Sequence, residues 1–305
     1  MEPIDDLTVV IRSSNERTEQ LCKFLIKEQG VQEKNIFIVR ESPFSKAMKM
    51  GYQIGLDQNL TWTYVFDADV LLHRESIKNM LNAAQEMPNN LIGISGRLLD
   101  KLMGMKRTAG NYLFSTKILS RMIGEIKPYE KENIRPESTI IRKLQHQGYV
   151  YKKVNQFIGL HDFEQHYHDI ARKAFTHAQK HTAYLGELVT YWKHASKNDR
   201  DFEVALFGLS KGIVHNEAVK INIDNFIGLY EEVANEFGSL DDDVTNFKIH
   251  NFNDVESAMK NQNNYFHSNE RLENYLDKKL QKRLQNLTNK ELAKRLLVNL
   301  KNKIL

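Results

Sequence analysis

The chain has 305 residues, 41% of them hydrophobic and 27% charged, with five prolines and a single cysteine. That suits one large α/β domain with an appendage, and it excludes an intramolecular disulfide and long disordered linkers. The net charge of +4 is uneven: residues 271–305 hold ten Lys or Arg against three Asp or Glu, so the first 270 residues are net acidic by three, which argues against nucleic acid as a partner of the body.

Leu7 to Ile11 is a short β-branched run and is predicted as a buried first strand. A helix is expected from about Glu16 to Gln29, stopped by Gly30, with Cys22 as a small core residue on its apolar stripe. Asn35 to Val39 predicts a second strand, and Ser45 to Leu56 a second helix. Thr61 to Phe66 predicts a third strand that runs into Asp67-Ala68-Asp69, and a third helix spans about Arg74 to Glu86. This alternation means βαβ units and a parallel sheet. Ligands of such sheets bind beyond the carboxyl ends of the strands. The polar groups just past those ends are Ser13, Ser14, Asn15 and Arg17, then Arg40 and Glu41, then Asp67 and Asp69.

From Leu91 onward the pattern is mixed. Strands are expected at Leu91 to Ser95, at Asn111 to Phe114 and at Tyr149 to Tyr151, with a helix from Ser138 to Gln147. After Asp162 the chain reads as almost wholly helical, with an acidic loop near Ser239 to Asn253. A domain boundary is placed near residue 185, giving domains 1–185 and 186–305. Leu272, Leu276, Leu280, Leu284 and Leu287 recur at helical steps on a basic background. Such a helix suits packing, self-association into a homo-oligomer, or peripheral contact of residues 271–305 with anionic lipid.

No apolar run approaches the ~18 residues of a membrane span, and Met1 to Asp6 lacks the pattern of a signal peptide. A cytoplasmic location is expected, at most peripheral to the inner face of the membrane.

Asp-x-Asp at a strand end brings two mutually repelling carboxylates to one spot. A divalent ion bridging them and a diphosphate relieves that repulsion and stabilises charge developing on a leaving diphosphate. A solvated strand-end turn is the alternative.

Three stretches together, Val9 to Arg17, Phe44 to Tyr52, and Tyr64 to Asp69, resemble the family-2 type of glycosyltransferase with the GT-A fold. The resemblance covers roughly residues 7–185. It implies an α/β fold with a mostly parallel sheet flanked by helices, followed here by a largely helical C-terminal region. It also implies a nucleotide-diphosphate sugar donor, a hydroxyl of a glycan or lipid-linked acceptor, a divalent metal (Mn²⁺ or Mg²⁺), and transfer with inversion. By the same resemblance, Ser13, Asn15 and Arg17 lie near the nucleotide, and Asp67 and Asp69 hold the metal. Glu41 takes a base-contacting role, although Arg40 replaces the acid that often precedes it. Lys46 helps hold the diphosphate, its alternative being a surface lysine. A late histidine, His161, is the third metal ligand, and imidazole suits Mn²⁺ better than Mg²⁺. Glu137 takes the place of the catalytic base, its alternative being a helix N-terminal acid favoured by the dipole. Asp100 is a weaker candidate for acceptor contact.

Four other readings remain open. A nucleotidyltransferase would carry a Gly-rich loop after the first strand, and Arg12 to Arg17 has no glycine. A phosphatase with Asp-x-Asp after its first strand conflicts with the two βα units that precede this one. A separate zinc site among His161, His166, His168, His177 and His181 has loose spacing and no cysteine. A GT-A-like binding protein without activity is the last.

Overall fold

The computed structural model describes residues 4–128, 135–181, 185–217, 219, 222–239 and 247–266. The basic leucine-repeat segment 271–305 and residues 240–246 of the acidic loop lie outside the described residues. The chain divides into two compact units, Met1–Gln262 and Asn263–Leu305.

The first three βα units form as their periodicity dictates. Strand β1 (Leu7–Arg12) is followed by α1 (Glu19–Lys27), β2 (Ile36–Val39) by α2 (Phe44–Gln58), and β3 (Trp62–Asp67), through the short β4 (Val70–Leu72), by α3 (Ser76–Gln85). Strand β1 pairs in parallel with both β2 and β3. Side chains alternate across a strand, and here the alternation sorts them into two cores. Leu7, Val9 and Ile11 pack on one face with Cys22 and Ile26 of α1 and Ile77 and Met80 of α3. Val10 and Val65 face the other way, onto Met48 and Tyr52 of α2.

The second half of the sheet is longer than its sequence suggests. Strand β5 runs from Leu91 to Asp100, β6 covers Met105–Arg107, β7 covers Asn111–Ser115, and β8 runs from Val150 to His161. Short helix α4 (Leu119–Gly124) and α5 (Pro136–His146) separate β7 from β8. The sheet order is β2-β1-β3-β7-β5-β8-β4, with β6 on β5. Strand β7 is antiparallel to both β3 and β5, whereas β5 and β8 are parallel, with register shifts along the pair. Polar residues such as Lys152, Lys153 and Asn155 hide β8 from a periodicity reading. They occupy its exposed stretch, and only its last four residues are buried.

Helices α6 (Tyr167–Lys180), α7 (Leu185–Ala195), α8 (Asp201–Val214), α9 (Ile227–Phe237) and α10 (Phe252–Phe266) follow. The compact unit continues through residue 185. Trp192 of α7 donates its indole N–H to the Leu102 carbonyl at 2.6 Å, and Lys101 pairs with Asp199 at 2.8 Å and Asp201 at 2.5 Å. Helices α6 and α8 approach so closely that a Cβ on Gly208 would stand 2.3 Å from the Ala171 carbonyl oxygen. Gly208→Val is therefore expected to lower stability by about 1–3 kcal/mol through forced separation of the two helices. A denaturation midpoint equal to wild type would show that this contact is not tight.

Candidate active site

The Asp67-Ala68-Asp69 turn is held by backbone bonds to its neighbours. Asp67 N–H donates to the Gly110 carbonyl at 2.8 Å, and Ala68 N–H to the Arg12 carbonyl at 2.9 Å. The Thr18 hydroxyl donates to the Ala68 carbonyl at 2.9 Å. Gly110, at φ +54°, passes so near that a Cβ there would lie 3.0 Å from Asp67 Oδ2. The turn therefore presents its two carboxylates from a rigid backbone, with Asp69 buried and Asp67 partly open.

Register brings His161 to them. It pairs across the sheet with Val70, the residue after Asp69, on one side and with Asp100 on the other. Its Nδ1 lies 2.9 Å from Asp100 Oδ2 and 3.0 Å from Asp162 Oδ2, while Nε2 faces Asp69 Oδ1 at 3.5 Å. Candidate ligand atoms of Asp67, Asp69 and His161 lie within 4.8 Å of one another. Asp69 Oδ1 is buried with no hydrogen-bond partner among the described residues. Such an orphaned oxygen between an aspartate and an imidazole fits a divalent cation, and the mixed O/N donor set suits Mn²⁺.

Asp100 belongs to the support of this cluster. It is fully buried, accepts from Met103 N–H at 2.7 Å and pairs with Arg107 at 2.6 Å. The reading of Asp100 as an acceptor contact is therefore corrected: its buried carboxylate is turned to His161 Nδ1 and Arg107 and is closed to an acceptor. Lys173 of α6 bridges Asp69 and Asp162. Burial opposes charge on His161, but Asp162, Asp69 and Asp100 outweigh it and raise its pKa well above the usual histidine range. Burial likewise opposes charge on Asp162, and His161 and Lys173 overcome it to hold that carboxyl well below the usual value.

Glu137 lies on the wall of the same cavity, which has a volume of about 760 Å³. It sits in the first turn of α5, only 5% exposed. Arg12 Nη1 donates to its Oε1 at 3.1 Å and the Tyr52 hydroxyl donates to the same oxygen at 2.7 Å. Burial raises its pKa, with Arg12 and Tyr52 pulling the other way. Arg12 also donates to Asp67 Oδ1 from Nε at 3.0 Å and Nη2 at 2.8 Å, so one guanidinium ties the strand-end carboxylate to Glu137.

Ser13, Asn15 and Glu41 line the cavity. The Ser13 hydroxyl accepts from Asn15 N–H at 3.0 Å and donates to Glu16 Oε2 at 3.0 Å. Glu16 is pushed up to about 7 by burial beside Asp169 and Asp69. Arg17 and Lys46 are not brought to the cavity wall. Arg17 turns to Glu164 at 3.7 Å and lies 4.2 Å over the Phe247 ring. Phe44 and Ala47 face the cavity from α2, and a step of 100° per residue turns Lys46 away. Lys46 reaches Glu41 instead, at 2.6 Å. Arg40, on the wall, is held by Glu19.

Sequence reading passed over Arg12, Tyr52, Asp162 and Lys173. Arg12 carried a signal: it follows the first apolar run directly, as Asp67 follows the third. No spacing in the chain ties Lys173 to Asp69. Among the described residues no metal-capable cluster forms from His166, His168, His177 or His181, so the separate zinc site finds no ligands there.

No family model matches this sequence, and no curated protein matches it. Solved structures with a similar course include the mannosyltransferase PcManGT from Pyrobaculum calidifontis, in complex with GDP-Man and Mn²⁺. It is 11% identical with a TM-score of 0.42, over 78% of this chain and 82% of that one. A glycosyltransferase involved in glycosylation of the major capsid of PBCV-1 is 11% identical, TM-score 0.36, over 50% and 83%. The CMP:2-keto-3-deoxy-manno-octonic acid synthetase is 9% identical, TM-score 0.34, over 52% and 92%. Likeness at this level transfers no activity, and it spans two kinds of transferase. What the chain itself displays is an α/β fold: a βα series with a carboxylate turn after the third strand, a mixed sheet, and helices on both faces.

Proposed function

We propose that this protein is a metal-dependent glycosyltransferase that moves a sugar from a nucleotide-diphosphate donor to a hydroxyl of a glycan or lipid-linked acceptor, with inversion. The observation that carries this is the meeting of Asp67, Asp69 and His161 around an orphaned Asp69 oxygen, in a cavity that Glu137 also lines. In this reading Asp67, Asp69 and His161 hold Mn²⁺ or Mg²⁺. When bound, the ion supplies Lewis-acid stabilisation of charge on the leaving diphosphate. Ser13, Asn15 and Glu41 receive the nucleotide. Glu137 accepts the proton of the acceptor hydroxyl, and its raised pKa makes it a stronger base than an ordinary glutamate. Arg12 and Tyr52 keep its Oε1 in place. The catalytic work falls within residues 1–185. Self-association and contact of residues 271–305 with anionic lipid at the inner face of a membrane belong to the same proposal. Among the described residues no helix is long and apolar enough to cross a membrane.

A thermal-shift series with UDP, GDP, CDP and ADP, each with and without Mn²⁺, tests this. One nucleoside diphosphate is expected to stabilise the protein only with metal, by about 2.7 kcal/mol at 100 times its Kd. Asp69→Asn is expected to abolish the metal-dependent part while remaining folded. Stabilisation that ignores metal, or none with any nucleotide, would count against the reading and favour a binding protein of other chemistry.

A further inference from the structure

Ser13, Asn15, Glu41 and Ser42 line the cavity just beyond the carboxyl ends of β1 and β2, where sheets of this kind take their ligands. From there the wall passes to a distant part of the chain. The Ser42 hydroxyl donates to Asn222 Oδ1 at 2.7 Å, across 180 residues. Asn222 opens the 3₁₀ turn Ile223–Phe226, whose Asp224 N–H donates to the same Asn222 oxygen at 3.3 Å. Ile223 and Phe226 of that turn line the same cavity.

The protein itself holds this stretch in place. Gln179 of α6 donates to the Glu217 carbonyl at 2.7 Å and accepts from Val219 N–H at 3.0 Å. Phe226 packs edge-on against Phe175 of α6, with ring centroids 5.5 Å apart, and is only 5% exposed, so it belongs to the support. Ile223 is different. It is half-buried on the cavity wall and belongs to neither of the two cores that flank the sheet. An apolar side chain held beside the hydroxyls of Ser13 and Ser42, the Asn15 amide and the Glu41 carboxylate suits a ligand with an apolar face and a polar rim. A nucleoside base is such a group: every base has a π-face, and the hydrogen-bonding atoms lie on its edge. A diphosphate, charged on every side, gains nothing from Ile223. The volume of about 760 Å³ is that of sites enclosing a whole small-molecule ligand, so the cavity has room for a base beyond the metal cluster.

We propose that Ile223 contacts the base of the nucleotide donor, the Asn222–Phe226 stretch forming one wall of the base subsite. Recognition of the donor then draws on a part of the chain beyond residues 1–185. The inference rests on the sugar-transfer reading and adds a specificity-determining residue to it. The base and the diphosphate of one donor are separable chemically, and the test uses that.

Wild type, Ile223→Ala, Ile223→Leu and Asn222→Ala are titrated calorimetrically with UDP, GDP, CDP and ADP, and with pyrophosphate, which has no base. Every titration contains Mn²⁺ below the solubility limit of its pyrophosphate salt. Ile223→Ala is expected to lose about five- to tenfold in affinity for the preferred nucleoside diphosphate, as for partial loss of apolar contact. Ile223→Leu, which keeps the volume, should stay within about twofold of wild type. Asn222→Ala, which frees the turn from Ser42, should lose about threefold. Pyrophosphate affinity should change by less than about twofold in all three, since the metal-side contacts are intact. A parallel fall for pyrophosphate would mean that the turn acts on the fold of the metal side, and would overturn the proposal. So would nucleoside diphosphate affinity that is unchanged in Ile223→Ala and Asn222→Ala, or a wild type that binds no nucleoside diphosphate more tightly than pyrophosphate. If Ile223→Ala does not fold, Asn222→Ala decides by the same contrast. A wild type that binds neither ligand with metal would strike the sugar-transfer reading itself, a result distinct from loss of the base contact alone.

Discussion

Glu137→Gln is expected to lower turnover of the donor sugar by about 10²- to 10⁴-fold, the usual contribution of a positioned general base. The substitution keeps the size of the side chain and an oxygen for Arg12 and Tyr52, so the tie from Arg12 to Asp67 persists. Binding of nucleoside diphosphate and metal should therefore stay close to wild type, and the loss should fall on kcat. A pH profile adds a second readout. A base must be ionised, so wild-type turnover should fall as pH drops through the Glu137 pKa. Burial places that limb above the usual glutamate range. The variant should lack that limb. Turnover within about threefold of wild type would make Glu137 a structural anion that anchors Arg12 and the start of α5.

Lys173→Met is expected to cost about 3–5 kcal/mol of stability without metal, as for removal of one partner from a buried ionic group. The lysine side chain is 16% exposed, and its partners Asp69 and Asp162 are 5% and 1% exposed. The variant would leave two buried carboxylates beside Asp100, where His161 and Arg107 are the cations that remain in contact among the described residues. For a folded unit of this size the loss lowers Tm by roughly 10 °C. Added Mn²⁺ should restore more stability to the variant than it confers on wild type, because the ion takes over neutralisation of Asp69. Equal metal response in the two proteins would mean that Asp69 does not face the ion.

The parts of this fold that were legible in the sequence are those whose signal is local. Leu7 to Ile11, Asn35 to Val39 and Thr61 to Phe66 are apolar runs separated by helical periodicity, and they form β1, β2 and β3 within a residue or two. The carboxylate turn follows from the end of such a run. Helix α5 begins at Pro136, two residues before the expected start, since proline at the first helical position needs no N–H partner. By contrast β4, β6 and most of β8 were not legible. Three-residue strands have too few positions to show a period, and β8 is polar along its exposed stretch. The placement of Arg17 and Lys46 depends on rotation about a turn and a helix, and the direction of a single side chain there leaves no mark in the residue order.

By itself, then, the sequence determined the βαβ start, the position of Asp67-Ala68-Asp69 at a strand end, and the candidacy of His161 and Glu137 through a resemblance of ordered motifs. The tertiary structure alone decided which groups share a space with that turn. Strand register set His161 opposite Val70 and Asp100, 61 residues apart in the chain from the latter. The packing of α6 brought Lys173 to Asp69 across 104 residues. Arg12 reached Asp67 across 55 residues and Glu137 across 125. Periodicity encodes which face of an element is buried, because burial is a property of each side chain in turn. It does not encode which distant charge completes that side chain's surroundings, because that choice is made only when the sheet and its helices close on one another.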